Sequence, residues 1–336
     1  MADNVKRPQK WKILRAALGV TVLAGVLGFT IHRFGSDWSR LAAQGLQLRY
    51  GLLVAALGLV VANNLVNAGG WYAILRWMGR RVSLRQAFSV YSMSQLSRNV
   101  PGGVWNFLGM AWLGKRSGID AKDTLSAAMI VMLCGLVSGL IVFAVSPVYT
   151  VGVGWAGGWI SLLVILVVPL GLVLLHPRLF FSLLNAGLRL IKKQPVLIHL
   201  RYRHLLGVLC AQCVVWLVSG LVFRYVFLSF LGTAPDFFTM AGIYALAWCV
   251  GFLFLPVPNG LGVREAMLAF LLSTQNIEPP VAVAASLVVR LLQLVAEVSL
   301  AGVGAILWRG LRRAGALTED SAFQVRSKFS APECRD

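Results

Sequence analysis

The chain has 336 residues, of which 58% are hydrophobic and 13% charged, with a mean hydropathy of +0.77. Soluble domains carry about 25% charged residues, so too little polar surface is left here to face water on every side. A net charge of +19 would suggest a nucleic-acid partner in a soluble protein, but there is no basic-aromatic nucleic-acid module, and in a membrane protein excess Lys and Arg mark the cytoplasmic side.

Residues 1–15 carry Lys6, Arg7, Lys10, Lys12 and Arg15 ahead of the apolar run Ala16–Ile31. The pattern resembles a signal peptide, yet no small-x-small cleavage site follows closely, so an uncleaved first span is expected. The runs Leu52–Leu75, Leu125–Val145, Trp159–Leu175, Leu205–Leu231 and Val281–Trp308 are each near or above the roughly 17–25 residues that cross about 30 Å of hydrocarbon. Two more apolar stretches are broken. Ala87–Leu113 is interrupted at residues 98–103 and Phe238–Leu272 at residues 256–262, by proline and glycine that cannot continue a helix.

Counting cations separates the readings of these broken stretches. If both are hairpins that enter and leave on one side, Lys and Arg fall as five in 1–15, four in 76–86, three in 113–123, six in 176–204 and six in 309–336. That puts 24 of the 31 inside and three (Arg33, Arg40 and Arg49) outside, with Arg98, Arg224, Arg264 and Arg290 within membrane segments. If both stretches cross fully, 15 lie inside and 12 outside. The positive-inside rule favours hairpins. The expected fold is an all-α polytopic membrane protein with six full spans and two oppositely oriented re-entrant hairpins, about 86–113 and 238–273. Both termini are cytoplasmic: a basic N-terminus 1–15, a transmembrane domain 16–308 and a disordered tail 309–336. The unit Leu52–Val145 then recurs upside down as Leu205–Trp308, the inverted-repeat pattern of many transporters. The tips echo one another, Val100, Pro101, Gly102 and Gly103 against Val257, Pro258, Asn259 and Gly260.

Irregular backbone at membrane depth must be buried in protein or line a wet cavity, so two opposed tips imply a polar cavity near the midplane. Helix ends there present N–H groups suited to an anion such as phosphate. Arg290, Gln293 and Glu297 share one face of the last helix, Arg264 and Glu265 follow the second tip past Gly262, and Arg98 and Asn99 precede the first. Asn63, Asn64 and Asn67 cluster midway along the second span. A charge at the bilayer centre costs about 2.5–3.5 kcal/mol, which requires paired, inward-facing placement. The functional reading is a charged-headgroup site, and the structural one is glutamates that neutralise arginines and staple helices. Arg224 lies near the outer end, where it can snorkel.

Other motifs carry less. Gly152, Gly154 and Gly157 fit a dinucleotide fingerprint but follow no strand, and Gly135 with Gly139 reads as a close-packing helix face. Cys210 and Cys213 form a C-x-x-C within an apolar run, read as packing residues. The basic, partly amphipathic loop 176–204 is expected on the anionic cytoplasmic leaflet. No catalytic constellation, metal site or cofactor motif is evident.

The segment 99–105, with Asn99, Pro101, Gly102, Gly103 and Trp105, and the segment Pro256, Pro258, Asn259, Gly260, Gly262, Arg264, Glu265, followed by Arg290, resemble the transmembrane flippase-like region of lysylphosphatidylglycerol synthases, over about residues 12–310. Asn259 stands where that family usually carries glycine. The resemblance implies movement of modified lipids between leaflets of a bacterial inner membrane. The lipid could be anionic, aminoacylated, polyprenyl-linked or a hopanoid. The chain ends about 28 residues after the last span, so the aminoacyl-transferring domain and its activity are not expected. The expected function is lipid translocation without enzymatic chemistry. The substrate site comprises the tip residues with Arg98, Gly262, Arg264, Glu265, Arg290, Gln293 and Glu297. The alternatives are a non-transporting subunit of an envelope-lipid or glycolipid enzyme complex, or a polyprenyl-carrier transferase. A homo-oligomer and a lipid-synthesis enzyme as partner stay open.

Overall fold

The computed structural model describes residues 49–99, 105–148, 200–253 and 262–313, with isolated positions between 166 and 182. The described residues contain helices and turns and no strand. In order the helices are α1 (Tyr50–Trp77), α2 (Leu84–Gln95) with a 3-10 turn (Leu96–Asn99), α3 (Trp105–Arg116), α4 (Ala121–Ala144), α5 (Tyr202–Leu231), α6 (Phe237–Leu253), α7 (Val263–Ser273) and α8 (Pro279–Arg313). By length and hydropathy α1, α4, α5 and α8 can each cross a membrane. The expected span Ala16–Ile31, most of Trp159–Leu175 and most of the loop 176–204 lie outside the described residues.

Helix boundaries follow local chemistry. Ser83 and Gln86 form a capping box on α2: the Gln86 N–H donates to Ser83 Oγ at 3.2 Å and the Ser83 N–H to Gln86 Oε1 at 2.9 Å. Pro279 and Pro280 occupy the first turn of α8, where no N–H is needed. α5 stops at Gly232, whose φ of +69° suits glycine and whose N–H returns to the Leu228 carbonyl. α8 runs five residues past the expected end of the last span, into the stretch read from sequence as tail. Arg312 and Arg313 in its final turn interact favourably with the helix dipole.

Two sets of contacts define the ends of the bundle. At one end Arg80 pairs with Asp123 at 2.8 Å, Trp77 stacks on His204 at 4.5 Å, and Val82, Ile119, Leu205 and Trp308 share a buried cluster. The regions before α2 and after α3 therefore lie together. At the opposite end the Arg49 N–H donates to the Ser229 carbonyl, Gly242 presses on Ser146, and Val148, Phe227, Leu272 and Val281 share a second cluster. The regions before α6 and after α7 meet there. α2 and α3, at 12 residues each, are about 18 Å long, well short of 30 Å of hydrocarbon.

Small residues let the helices approach. A Cβ on Gly220 would run into the Ala241 backbone, and one on Gly304 into the Ser92 hydroxyl, which seats α5 on α6 and α8 on α2. Of the expected Gly135 and Gly139 face, Gly139 makes the close approach, with Cys249 Sγ 2.8 Å from where a Cβ would sit. The Gly135 carbonyl accepts the Trp216 indole N–H at 2.9 Å.

Asp236 caps α6 by accepting the Thr239 N–H at 3.0 Å and the Thr239 hydroxyl. Partial burial pushes this carboxyl upward, but the hydrogen bonds from Thr239 and the Phe238 N–H, with the nearby Arg224 charge, outweigh it and hold it below the ordinary 3.8. A depressed folded pKa means the contribution is complete above the unfolded value and is lost as pH falls through the folded one. Asp236→Ala is expected to cost about 1 kcal/mol at neutral pH and to leave a flatter acid limb in detergent melting curves. Gly220→Ala should destabilise by about 1–3 kcal/mol through overpacking, whereas Gly207→Ala, inside α5 with open space at its Cβ, should stabilise by up to about 1 kcal/mol.

Candidate functional site

α8 is the spine of the site. Its residues Arg290, Gln293 and Glu297 point into the bundle, on one face as their spacing requires. Glu297 is 3% exposed and pairs with Arg98, delivered by the 3-10 turn after α2. Two helical turns away Arg290 pairs with Glu265 of α7 at 2.8 Å. α8 thus holds each short-helix pair by one ion pair, and the polarity is reversed between them.

The start of α7 is shaped for this. Gly262 has φ of +83°, a conformation that glycine adopts without strain, and its N–H donates to Glu265 Oε2 at 2.6 Å. Glu265 therefore caps its own helix with one oxygen while the other faces Arg290. Arg264, one residue earlier, points the other way. It is 5% exposed, and its guanidinium carbon lies 4.5 Å from the centre of the Tyr244 ring on α6. The Tyr244 hydroxyl accepts a hydrogen bond from Gln293 Nε2 at 2.9 Å, which links α6 back to α8. Arg264 and Arg98 both lie within electrostatic reach of Arg290.

The cluster contains three arginines and two glutamates, so it carries one positive charge in excess. Among the described residues no carboxylate meets Arg264. Its cation–π contact offsets part of the cost of burial, and among the described residues no acceptor is recorded for its N–H groups. An anion would complete this site.

The structure brings together Arg98, Gly262, Arg264, Glu265, Arg290, Gln293 and Glu297 of the residues singled out from sequence. Asn99 contributes backbone to the 3-10 turn, and Pro101, Gly102, Gly103, Pro258, Asn259 and Gly260 lie outside the described residues. The three asparagines of α1 divide. Asn63 donates to the Val215 carbonyl and Ser219 Oγ of α5, and Asn67 accepts from Gln212, so both staple helices. Asn64 instead lines a cavity between α1, α2 and α8 with Tyr91, Ser92, Gln95 and Glu297. This cavity is about 10 Å³, room for one water. Arg224 does not reach outward freely: its Nε donates to the Pro235 carbonyl at 3.2 Å.

Sequence reasoning missed Tyr244, Tyr91 and Gln95. The last two had a signal: Tyr91, Gln95 and Arg98 lie at i, i+4 and i+7, one helix face. Tyr244 stands among apolar neighbours, and nothing in its spacing connects it to Arg264.

A family model described as the lysylphosphatidylglycerol synthase TM region matches residues 16–302. The chain belongs to this family. The match covers most of the chain and agrees with the resemblance carried by the two tips. No match to a curated protein was found. Family membership and the apolar helices together make this an integral-membrane protein.

If the Arg98–Glu297 pair is structural cement, breaking it from one side has a definite cost. Removing one partner strands a buried charge, which costs about 3–5 kcal/mol. Arg98→Ala should therefore lower stability sharply, while Arg98→Ala combined with Glu297→Ala should recover most of the loss. A double-mutant cycle of detergent melting measures the coupling.

Proposed function

We propose that the protein is a lipid translocator that moves a phosphate-bearing headgroup between leaflets through the α2–α3, α6–α7 and α8 cluster. The observation that carries this reading is Arg264, a buried cation with no carboxylate partner among the described residues, held between α6 and α7 beside α8. A phosphodiester brings the cluster to neutrality and accepts the in-plane N–H groups of a guanidinium.

The topology follows the same reading. α2 with α3, and α6 with α7, are re-entrant pairs that enter from opposite faces within a frame of six spans. Support comes from the pairing of Arg80 with Asp123 at one end and the contact of Gly242 with Ser146 at the other. The first end also gathers Arg76, Arg81, Arg85, Lys115, Arg116 and Lys122 around that pair, against Arg49 and Arg224 among described cations at the other terminus of the bundle. That end faces the cytoplasm, with both termini of the chain, in a bacterial cell membrane.

The two glutamates hold the place of the ligand. A headgroup phosphate competes with Glu297 for Arg98 and with Glu265 for Arg290. These ion pairs lie seven residues apart on α8, about 10 Å along its axis. As each pair parts, its short helices are released from α8 and the site opens toward one face. The single-water cavity marks the closed state, and entry of a headgroup requires this parting. No bond of the lipid is made or broken, and movement runs downhill.

Reconstituted vesicles carrying fluorescent phosphatidylglycerol test the reading. Wild-type protein should make the inner-leaflet probe accessible to an impermeant quencher. Arg264→Ala should slow this at least about tenfold, the loss of a charged hydrogen-bonding contact, with an unchanged melting temperature. Flipping at the wild-type rate by both Arg264→Ala and Glu297→Ala would remove the cluster as the substrate site.

A further inference from the structure

Three arginines meet in the cluster, and they are held in two different ways. Arg98 and Arg290 are gripped by carboxylates. A carboxylate takes a guanidinium edge-on and occupies the donors it meets, although Arg98 keeps its Nε–H buried without an acceptor among the described residues. Arg264 is held over the Tyr244 ring, its guanidinium carbon 4.5 Å from the ring centre. A ring holds the cation through its quadrupole and leaves the in-plane N–H donors available. Tyr244 is itself fixed. It is 3% exposed, its ring centre lies 5.5 Å from that of Phe223, and its hydroxyl accepts from Gln293 of α8. One side chain of α6 thus fixes where a guanidinium of α7 sits and ties both to the spine of the site.

We propose that Tyr244 is a positioning residue for anion binding: its ring aims Arg264 while keeping that cation unneutralised for a phosphodiester. The inference takes the nature of the ligand from the translocator reading. It also explains why an aromatic residue, and not a third glutamate, lies under Arg264. A carboxylate there would bring the cluster to zero charge and consume the donors, leaving the site complete without a ligand.

The test uses binding, so it holds whether or not the protein translocates. Full-length protein in detergent micelles is titrated with phosphatidylglycerol, and affinity is read from native mass spectrometry alongside the lipid-free melting temperature. Tyr244→Phe, which keeps the ring, should bind within about twofold of wild type, and Tyr244→Leu should bind on the order of tenfold more weakly. A merely structural role would make affinity follow the lipid-free melting temperature, the two falling together in Tyr244→Leu and restored together by phenylalanine, which packs alike. Tyr244→Glu against Tyr244→Gln compares side chains of one size that differ in charge. The Glu variant should lose phosphatidylglycerol binding relative to Gln, and this pair decides the matter if Tyr244→Leu does not fold. Wild-type affinity in Tyr244→Leu, equal affinity in the Glu and Gln variants, or Phe as weak as Leu would overturn the role of Tyr244 alone. No binding by the wild-type protein would overturn the translocator reading and the role of Tyr244 with it.

Discussion

Glu297 is a carboxylate at 3% exposure in the middle of a 35-residue apolar helix, and it is stable there because Arg98 comes to meet it. Neither charge is tolerable alone at that depth. To deliver Arg98, the chain brings a short helix and a 3-10 turn against α8. Arg290 and Glu265 impose the same demand from the other end. The neutralisation of charge away from water thus dictates where the helices break, which elements pack on α8, and why small residues such as Gly304 are needed at the crossings.

Complementary charge explains the holding of the helix pairs, but the cluster is left with a surplus. A structure built only for stability would have closed the account at two ion pairs. Arg264 adds a cation that the described part of the protein accommodates with an aromatic face. Asn63, Asn67, Gln212 and Ser219 show the contrast: their hydrogen bonds join α1 to α5 in a satisfied network, with no demand for anything further.

Much of this was legible in the amino-acid pattern, for physical reasons. Hydrocarbon thickness sets span length, so α1, α4, α5 and α8 stood out as long apolar runs. The asymmetry of Lys and Arg favours a hairpin for α2–α3, and the structure sets Arg80 beside Asp123. Helical periodicity put Arg290, Gln293 and Glu297 on one face. What periodicity cannot give is partnership between elements. That Glu297 takes Arg98, and that Arg264 turns away from Glu265 to lie over Tyr244, depends on how three separate helices cross. The division of Asn64 from Asn63 and Asn67 is likewise a matter of rotation about α1, fixed by its packing on α5. α8 continues beyond the expected apolar span, as far as Arg313.

The cavity beside Glu297 has a consequence for the cell's energy supply. A membrane that stores a proton gradient cannot contain a continuous file of water, because protons hop along one faster than any lipid moves. Asn64, Tyr91, Ser92 and Gln95 line a partly open hollow with room for about one water, and one water is not a wire. On the translocator reading this hollow gives protons no continuous file to follow, even with a carboxylate at its edge.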